Sequence, residues 1–207
     1  REKELIRRLQ NQGIPVIRFD RFEEDNISPY VGINNFEAGY MMTNKLLLMG
    51  HRKIVCLAPD EPVHIVAERQ RGYRKAMQDW KQTVEFKTFR IGNSSDISSV
   101  IETLWSSSER PSAIFTPGGD MDAIKCIRTC DSLHISVPNE LSIAGFDDIY
   151  VASVIHPGLT TIRQPKFKIG QTAMNLLYQL IKKEKGPCES VLLPFEYIQR
   201  GSTKTMN

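Results

Sequence analysis

Leu141, Ile143, Ala144 and Phe146 form a short apolar run that stops at two carboxylates, Asp147 and Asp148. A run with so few polar interruptions suits a strand buried on both faces, and such strands belong to parallel sheets covered by helices. The rest of the chain has the matching rhythm. Strands are expected at 15–19, 30–33, 53–58, 84–91 and 113–116, separated by helices at 1–12, 36–49, 67–80, 95–106 and 121–133. Strands alternating with helices of this length predict βαβ units and an α/β fold built on parallel sheets. Beyond the two carboxylates come a short segment, Leu159 to Ile162, and a long helix from Phe167 to about Lys185. That helix has Ile169, Ala173, Leu176, Leu177, Leu180 and Ile181 on one face. Gly186-Pro187 breaks it, a last strand is expected from Val191 to Gln199, and Arg200 to Asn207 is expected to be a polar tail.

Carboxylates at the end of a buried parallel strand are well placed to bind. Ligands of open α/β sheets occupy the crevice beyond the carboxyl ends of the strands. A carboxylate there accepts two hydroxyl or amide hydrogens at once, which suits a sugar or a nucleobase. The competing account is that Asp147 and Asp148 cap the helix that follows.

Composition narrows the class further. With 41% apolar and 25% charged residues among 207, the chain has the makeup of a globular protein with one or two cores. A net charge of +3 does not by itself mark a nucleic-acid surface, which needs Lys and Arg clustered on one face. No stretch of about 18 apolar residues exists, so no membrane partner is expected. No positively charged start followed by an apolar run is seen, so no secretory signal is visible. Cys56, Cys126, Cys130 and Cys188 form no CxxC pair, and His51, His64, His134 and His156 are scattered singly. Reduced thiols in a cytoplasmic protein are therefore expected, with no metal and no cofactor.

Eight segments, taken in order, carry a resemblance. They are Ile14–Arg21, Asn34–Gly39, Met49–Ile54, Glu68–Tyr73, Pro111–Phe115, Val137–Asp148, Leu159–Pro165 and Leu193–Ser202. Together they resemble the effector-binding domain of the lactose-repressor/galactose-repressor (LacI/GalR) family of bacterial transcriptional regulators. The resemblance implies a periplasmic-binding-protein-like fold of two α/β subdomains joined by three crossovers, with the ligand between them. Carried over, 1–34 and 165–190 make a partial N-terminal subdomain. Residues 35–164 and 191–202 make the C-terminal one, and 203–207 a tail. It also implies that a DNA-binding headpiece and roughly half of the first subdomain would precede Arg1. The first subdomain would then be incomplete and the chain N-terminally truncated.

The resemblance further implies a ligand site. Asp147 matches the family's ligand-contacting carboxylate, and Asp148 is expected to be structural. Arg69 matches an arginine that reaches the ligand, where a guanidinium offers a rigid fork of donors; a surface arginine in a charged run is the plainer account. Asp20, ending a strand of the first subdomain, is a further expected contact. Gly119-Asp120 stands where the family has Asn-Asp, so one amide contact is lost; Asp120 is expected to cap its helix and stands as a further ligand candidate. Many members stack an aromatic ring on the ligand where this chain has Gly92-Asn93-Ser94, leaving Asn93 and Ser94 as possible hydrogen-bond donors in its place.

An enzyme is not expected. The chain has no GxSxG elbow, no phosphate-binding P-loop pattern and no HExxH motif. Adjacent carboxylates do not flank a glycosidic bond. The expected function is ligand sensing: a sugar or sugar phosphate binds and changes, by allostery, the DNA affinity of the headpiece. The partners expected are the effector, a second copy in a homodimer, and DNA only through that headpiece, with a protein coregulator as a further candidate. The alternative is an exported sugar-binding protein of an uptake system with the same fold.

Overall fold

In a computed structural model, residues 2–20, 27–60, 63–92, 96–182 and 189–206 are described. They fall into two compact units, one formed by 1–34 with 165–195 and the other by 35–164 with 196–207. The chain thus passes from one unit to the other three times.

The first unit is a parallel three-stranded sheet with two helices. Helix α1 (Glu2–Asn11) buries Ile6 and ends in Gly13 at φ +76, as a left-handed cap does. Strand β1 (Arg18–Phe19) pairs with β2 (Tyr30–Gly32). The strand expected from Pro15 is shorter, because Pro15 has no N–H to give to a ladder. Two later elements complete this unit. Helix α7 (Lys166–Lys182) sets Ile169 and Ala173 inward, and β8 (Val191–Leu192) pairs with the other edge of β2. Ile181, placed on the apolar face by its spacing, is exposed. The last turn expected for that helix, 183–185, lies outside the described residues, as does Cys188.

The second unit carries the larger core. Its four-stranded parallel sheet has the order β4 (Glu85–Ile91), β3 (Lys53–Pro59), β5 (Ala113–Phe115), β6 (Ser142–Ala144). Strands β3, β5 and β6 are buried along almost their whole length, as the apolar runs predict. Edge strand β4 is largely exposed and carries Lys87 and Arg90, which discourage pairing with another chain. Helix α2 (Asn35–Leu48) leads into β3, and α3 (His64–Asp79), α4 (Ile97–Ser106) and α5 (Asp120–Ser132) form the crossovers between the strands. A short helix, α6 (Tyr150–Val154), and β7 (Thr161–Arg163) follow β6. Cys56, Cys126 and Cys130 are free thiols inside this core.

Helices α2 and α3 approach backbone to backbone. A Cβ on Gly39 would fall 2.1 Å from Arg69 O, and one on Gly72 would fall 2.1 Å from Phe36 O. Only glycine at both positions permits the crossing. Tyr73 follows that contact and donates its hydroxyl to Ile54 O at 2.7 Å, fastening α3 to β3.

The C-terminus differs most from expectation. The single strand expected over Val191–Gln199 is two, β8 in the first unit and β9 (Glu196–Ile198), antiparallel to β7, in the second. Pro194 separates them: it offers no N–H, so pairing stops and the chain changes units at residues 195–196 instead of before Val191. The expected polar tail is in fact built in. Ser202 donates its hydroxyl to Ile143 O at 2.6 Å, and Lys204 N–H donates to Ser142 Oγ at 3.2 Å. Fully buried His51 meets Lys204 O through Nε2 and Ser112 Oγ through Nδ1. Burial, above all, lowers the His51 pKa to about 4, so the ring is neutral at physiological pH. Polar character here marks hydrogen bonding to a sheet edge, which composition does not distinguish from solvation.

Candidate functional site

The carboxyl ends of β5 and β6 in the second unit carry the densest set of predicted residues. Strand β5 runs into the turn Pro117–Asp120, and β6 into Gly145–Asp148. Asp147 N–H donates to Ile162 O at 2.8 Å. Its φ is 107°, and that of Asp148 is 49°. Non-glycine residues rarely adopt such angles and do so where the surroundings overdetermine them, commonly at ligand sites.

The two carboxylates have separate tasks. Asp148 is nearly buried and doubly paired, with Arg163 Nε at 2.6 Å and Arg200 Nη2 at 2.7 Å. Burial pushes its carboxyl up, but the bonds from both guanidinium groups outweigh this and hold it below the ordinary carboxylate value. Its role is structural, in line with expectation. The Asp147 side chain is 29% exposed and accepts from Gln164 Nε2 at 2.6 Å.

Arg69 is brought to Asp147, with Nη2 4.0 Å from its Oδ1. The arginine is no surface residue, being 2% exposed. Its Nε donates to Asn35 Oδ1 at 2.8 Å and its Nη1 to Pro117 O at 2.9 Å, while its guanidinium lies 3.6 Å over the Phe146 ring. This fork braces the start of α2, the β5 turn and the β6 turn at once.

Asp120 does not cap α5: Gly119 occupies the N-cap, at φ +143, and no side-chain cap bond forms. Its carboxylate is 1% exposed, and both oxygens are taken, Oδ1 by the Thr161 hydroxyl at 2.6 Å and Oδ2 by Ile149 N–H at 2.8 Å. The ligand contact expected of Asp120 gives way to an internal role, since the carboxylate is buried and each of its oxygens already accepts a bond from the protein. Burial, chiefly, raises its pKa to about 6, opposed by those two bonds and helped by the charges of Asp147 and Asp148.

That rise has a testable consequence. The folded chain keeps a proton on Asp120 at pH values where the unfolded chain, with a pKa near 3.8, has released it. The stability gained from this group is complete below about pH 3.8 and is lost as pH rises through about 6. At about 1.36 kcal/mol per pKa unit the whole effect is about 3 kcal/mol. Between pH 4.5 and pH 7 Asp120 should account for about 2 kcal/mol of lost stability, read in urea unfolding as the difference in pH dependence between wild type and Asp120→Asn, because His51, held neutral in the folded chain, shifts stability the opposite way in both proteins. Equal pH dependence in the two proteins would refute the assignment.

The remaining predicted residues are elsewhere. Asp20 directly follows β1 in the first unit, exposed and at φ 55°. Asn93 and Ser94 lie outside the described residues. Three participants were missed: Asn35, Phe146 and Gln164. Each sits inside a motif quoted above, at an element boundary, and that placement was the available signal. Among the described residues no three His, Cys, Asp or Glu side chains converge to hold a metal. No helix among them is long and apolar enough to cross a membrane.

Comparison with known proteins agrees with this architecture. The HTH-type transcriptional repressor PurR of Vibrio atlanticus is 30% identical over 96% of this chain and 60% of its own length. Catabolite control protein A of Priestia megaterium is 30% identical over 98% of this chain and 61% of its own. The chain therefore spans about 60% of the length of these relatives. A ribose-bound LacI family transcriptional regulator from Enterococcus faecium superposes with a TM-score of 0.84 at 28% identity, over 98% of this chain and 76% of that one. The model of the periplasmic binding protein-like domain matches residues 43–203. With that match spanning most of the second unit, the chain belongs to the periplasmic binding protein-like domain family, and along almost its whole length it is similar to LacI-family transcriptional regulators.

Proposed function

We propose that this chain is the ligand-sensing part of a cytoplasmic transcriptional regulator, and that its effector is a small polar molecule, a sugar or sugar phosphate, held by Asp147. The carrying observation is the pairing of a partly exposed, conformationally strained carboxylate with a buried arginine, 4.0 Å apart, where two buried parallel strands end. A carboxylate so placed accepts two sugar hydroxyls, and the arginine fixes its orientation. The ribose in the Enterococcus faecium relative supports the sugar class. The repressors to which the chain is similar support a regulatory role rather than a catalytic one. In the whole protein, effector binding alters DNA affinity through a conformational equilibrium, and DNA alters effector affinity by the same factor. The regulator acts as a homodimer. Asp20, on the first unit, is a separate proposed contact, tested by its own alanine variant.

The test is a thermal-melt panel of mono- and disaccharides, sugar phosphates, nucleosides and purines on wild type and Asp147→Gly. An effector at 100 times its Kd stabilises the wild type by about 2.7 kcal/mol. Glycine accepts a φ of 107° and the relieved strain of about 1 kcal/mol offsets the lost Gln164 bond, so the variant should fold, melting below wild type because buried Arg69 loses its neighbouring anion. It should nevertheless show no shift with the effector. A sugar that stabilises both proteins equally would put the site elsewhere, and a panel without any hit would favour a protein coregulator.

A further inference from the structure

The turn that carries Asp147 rests on a second carboxylate. Asp120 touches it at both ends: Oδ2 accepts Ile149 N–H, and a Cβ on Gly145 would fall 2.4 Å from Oδ1. Between these ends it acts through Thr161, whose hydroxyl donates to Oδ1 and whose Oγ1 accepts Asp148 N–H at 3.4 Å. One buried side chain thus spans Gly145 to Ile149, and the two positive-φ residues lie within that span. A disfavoured backbone of this kind relaxes unless its surroundings hold it. Arg163 and Arg200 hold Asp148 from the solvent side, and Asp120 holds the turn from within the core.

We propose that Asp120 is a positioning residue for the effector site: acting through Thr161 and Ile149 N–H, it keeps the Gly145–Ile149 turn in the strained conformation that presents Asp147. The consequence for effector binding rests on the function proposed above, whereas the consequence for the turn does not. The charged groups about it are Asp147 and Asp148 on the turn, Arg163 on β7, Arg200 beyond β9, and Asp122 on its own helix. Two neighbouring carboxylates and burial resist its ionisation, consistent with a pKa near 6. Conformation of the turn should therefore respond to pH in that region.

The experiment is amide hydrogen exchange and NMR on the ligand-free 207-residue chain, comparing wild type with Asp120→Ala, Asp120→Asn and Thr161→Val. Losing a hydrogen bond to a charged group should speed Ile149 amide exchange roughly ten- to a hundredfold in Asp120→Ala. Amides of β3 should be unaffected. Asp120→Asn should rescue most of the protection, because its amide oxygen still accepts Ile149 N–H. Amide shifts of Asp147 to Ile149 should titrate near pH 6 in wild type and not in Asp120→Asn. Should Asp120→Ala fail to fold, Thr161→Val carries the test through faster Asp148 and Ile149 exchange. Wild-type exchange of these amides in both Asp120→Ala and Thr161→Val, or in Thr161→Val alone if Asp120→Ala does not fold, overturns the proposal. Ribose titration forms a second arm: if wild type binds ribose, Asp120→Ala should bind at least about tenfold more weakly, and unchanged binding overturns the link to the effector. If wild type ignores ribose, ribose is not the effector, and the exchange data still decide the role of Asp120.

Discussion

Gly72→Ala is expected to destabilise the chain by about 3 kcal/mol or more, the upper range for forcing extra volume into a packed interior. The added methyl would fall 2.1 Å from Phe36 O and 2.6 Å from Tyr40 N, both backbone atoms of α2 that cannot rotate away. The helices would have to separate, loosening buried Ala38, Met42, Ala76 and Tyr73 around the crossing. Helix propensity acts in the opposite direction, favouring alanine over glycine by about 1 kcal/mol, so the sign of the result is informative. Gly170 in α7 is the control: nothing lies within 4 Å of its Cβ position, and Gly170→Ala should stabilise by about that amount. Urea unfolding of both variants at unchanged m-value gives the comparison. A loss below about 1 kcal/mol in Gly72→Ala would mean that the crossing is not a backbone contact in solution.

Arg69→Ala is expected to cost about 3–5 kcal/mol, the range for removing one partner from a buried charged network. The substitution strips Asn35 Oδ1 and Pro117 O of donors and leaves the Phe146 ring without the guanidinium stacked on it. It also removes the cation 4.0 Å from Asp147. Arg69→Lys should recover only part of the loss, since one ammonium cannot serve three directions at once. Urea unfolding measures this directly, and an effect below about 1 kcal/mol would contradict the bracing role. Effector titration at temperatures where both proteins remain folded then separates the stability loss from any loss of binding. Asp147→Gly is the counterpart, expected to remove binding at a smaller cost in stability. The two variants divide the site into a residue that holds and a residue that is held.

Several things followed from sequence alone. The apolar runs ending at Ala58, Phe115 and Phe146 determined parallel strands, because a strand buried on both faces leaves a nearly continuous apolar signature. The Asp-Asp pair at the end of one such strand marked where a ligand would meet the sheet. Sequence could not divide labour between the two, since adjacent carboxylates are chemically identical until Arg163 and Arg200 claim one of them. Nor could it show that Arg69 is buried: a charged run such as Glu68 to Arg71 has the same composition whether or not a second helix crosses it. Gly39 and Gly72 are 33 positions apart and reveal their purpose only when their backbones touch. His51 and Lys204, or Asp120 and Thr161, are likewise partners across long loops. Local pattern is set by which faces of a segment are apolar, and it survives in the sequence. The side-chain hydrogen bonds that fix the site join residues 13 to 52 positions apart, and tertiary structure alone decided them.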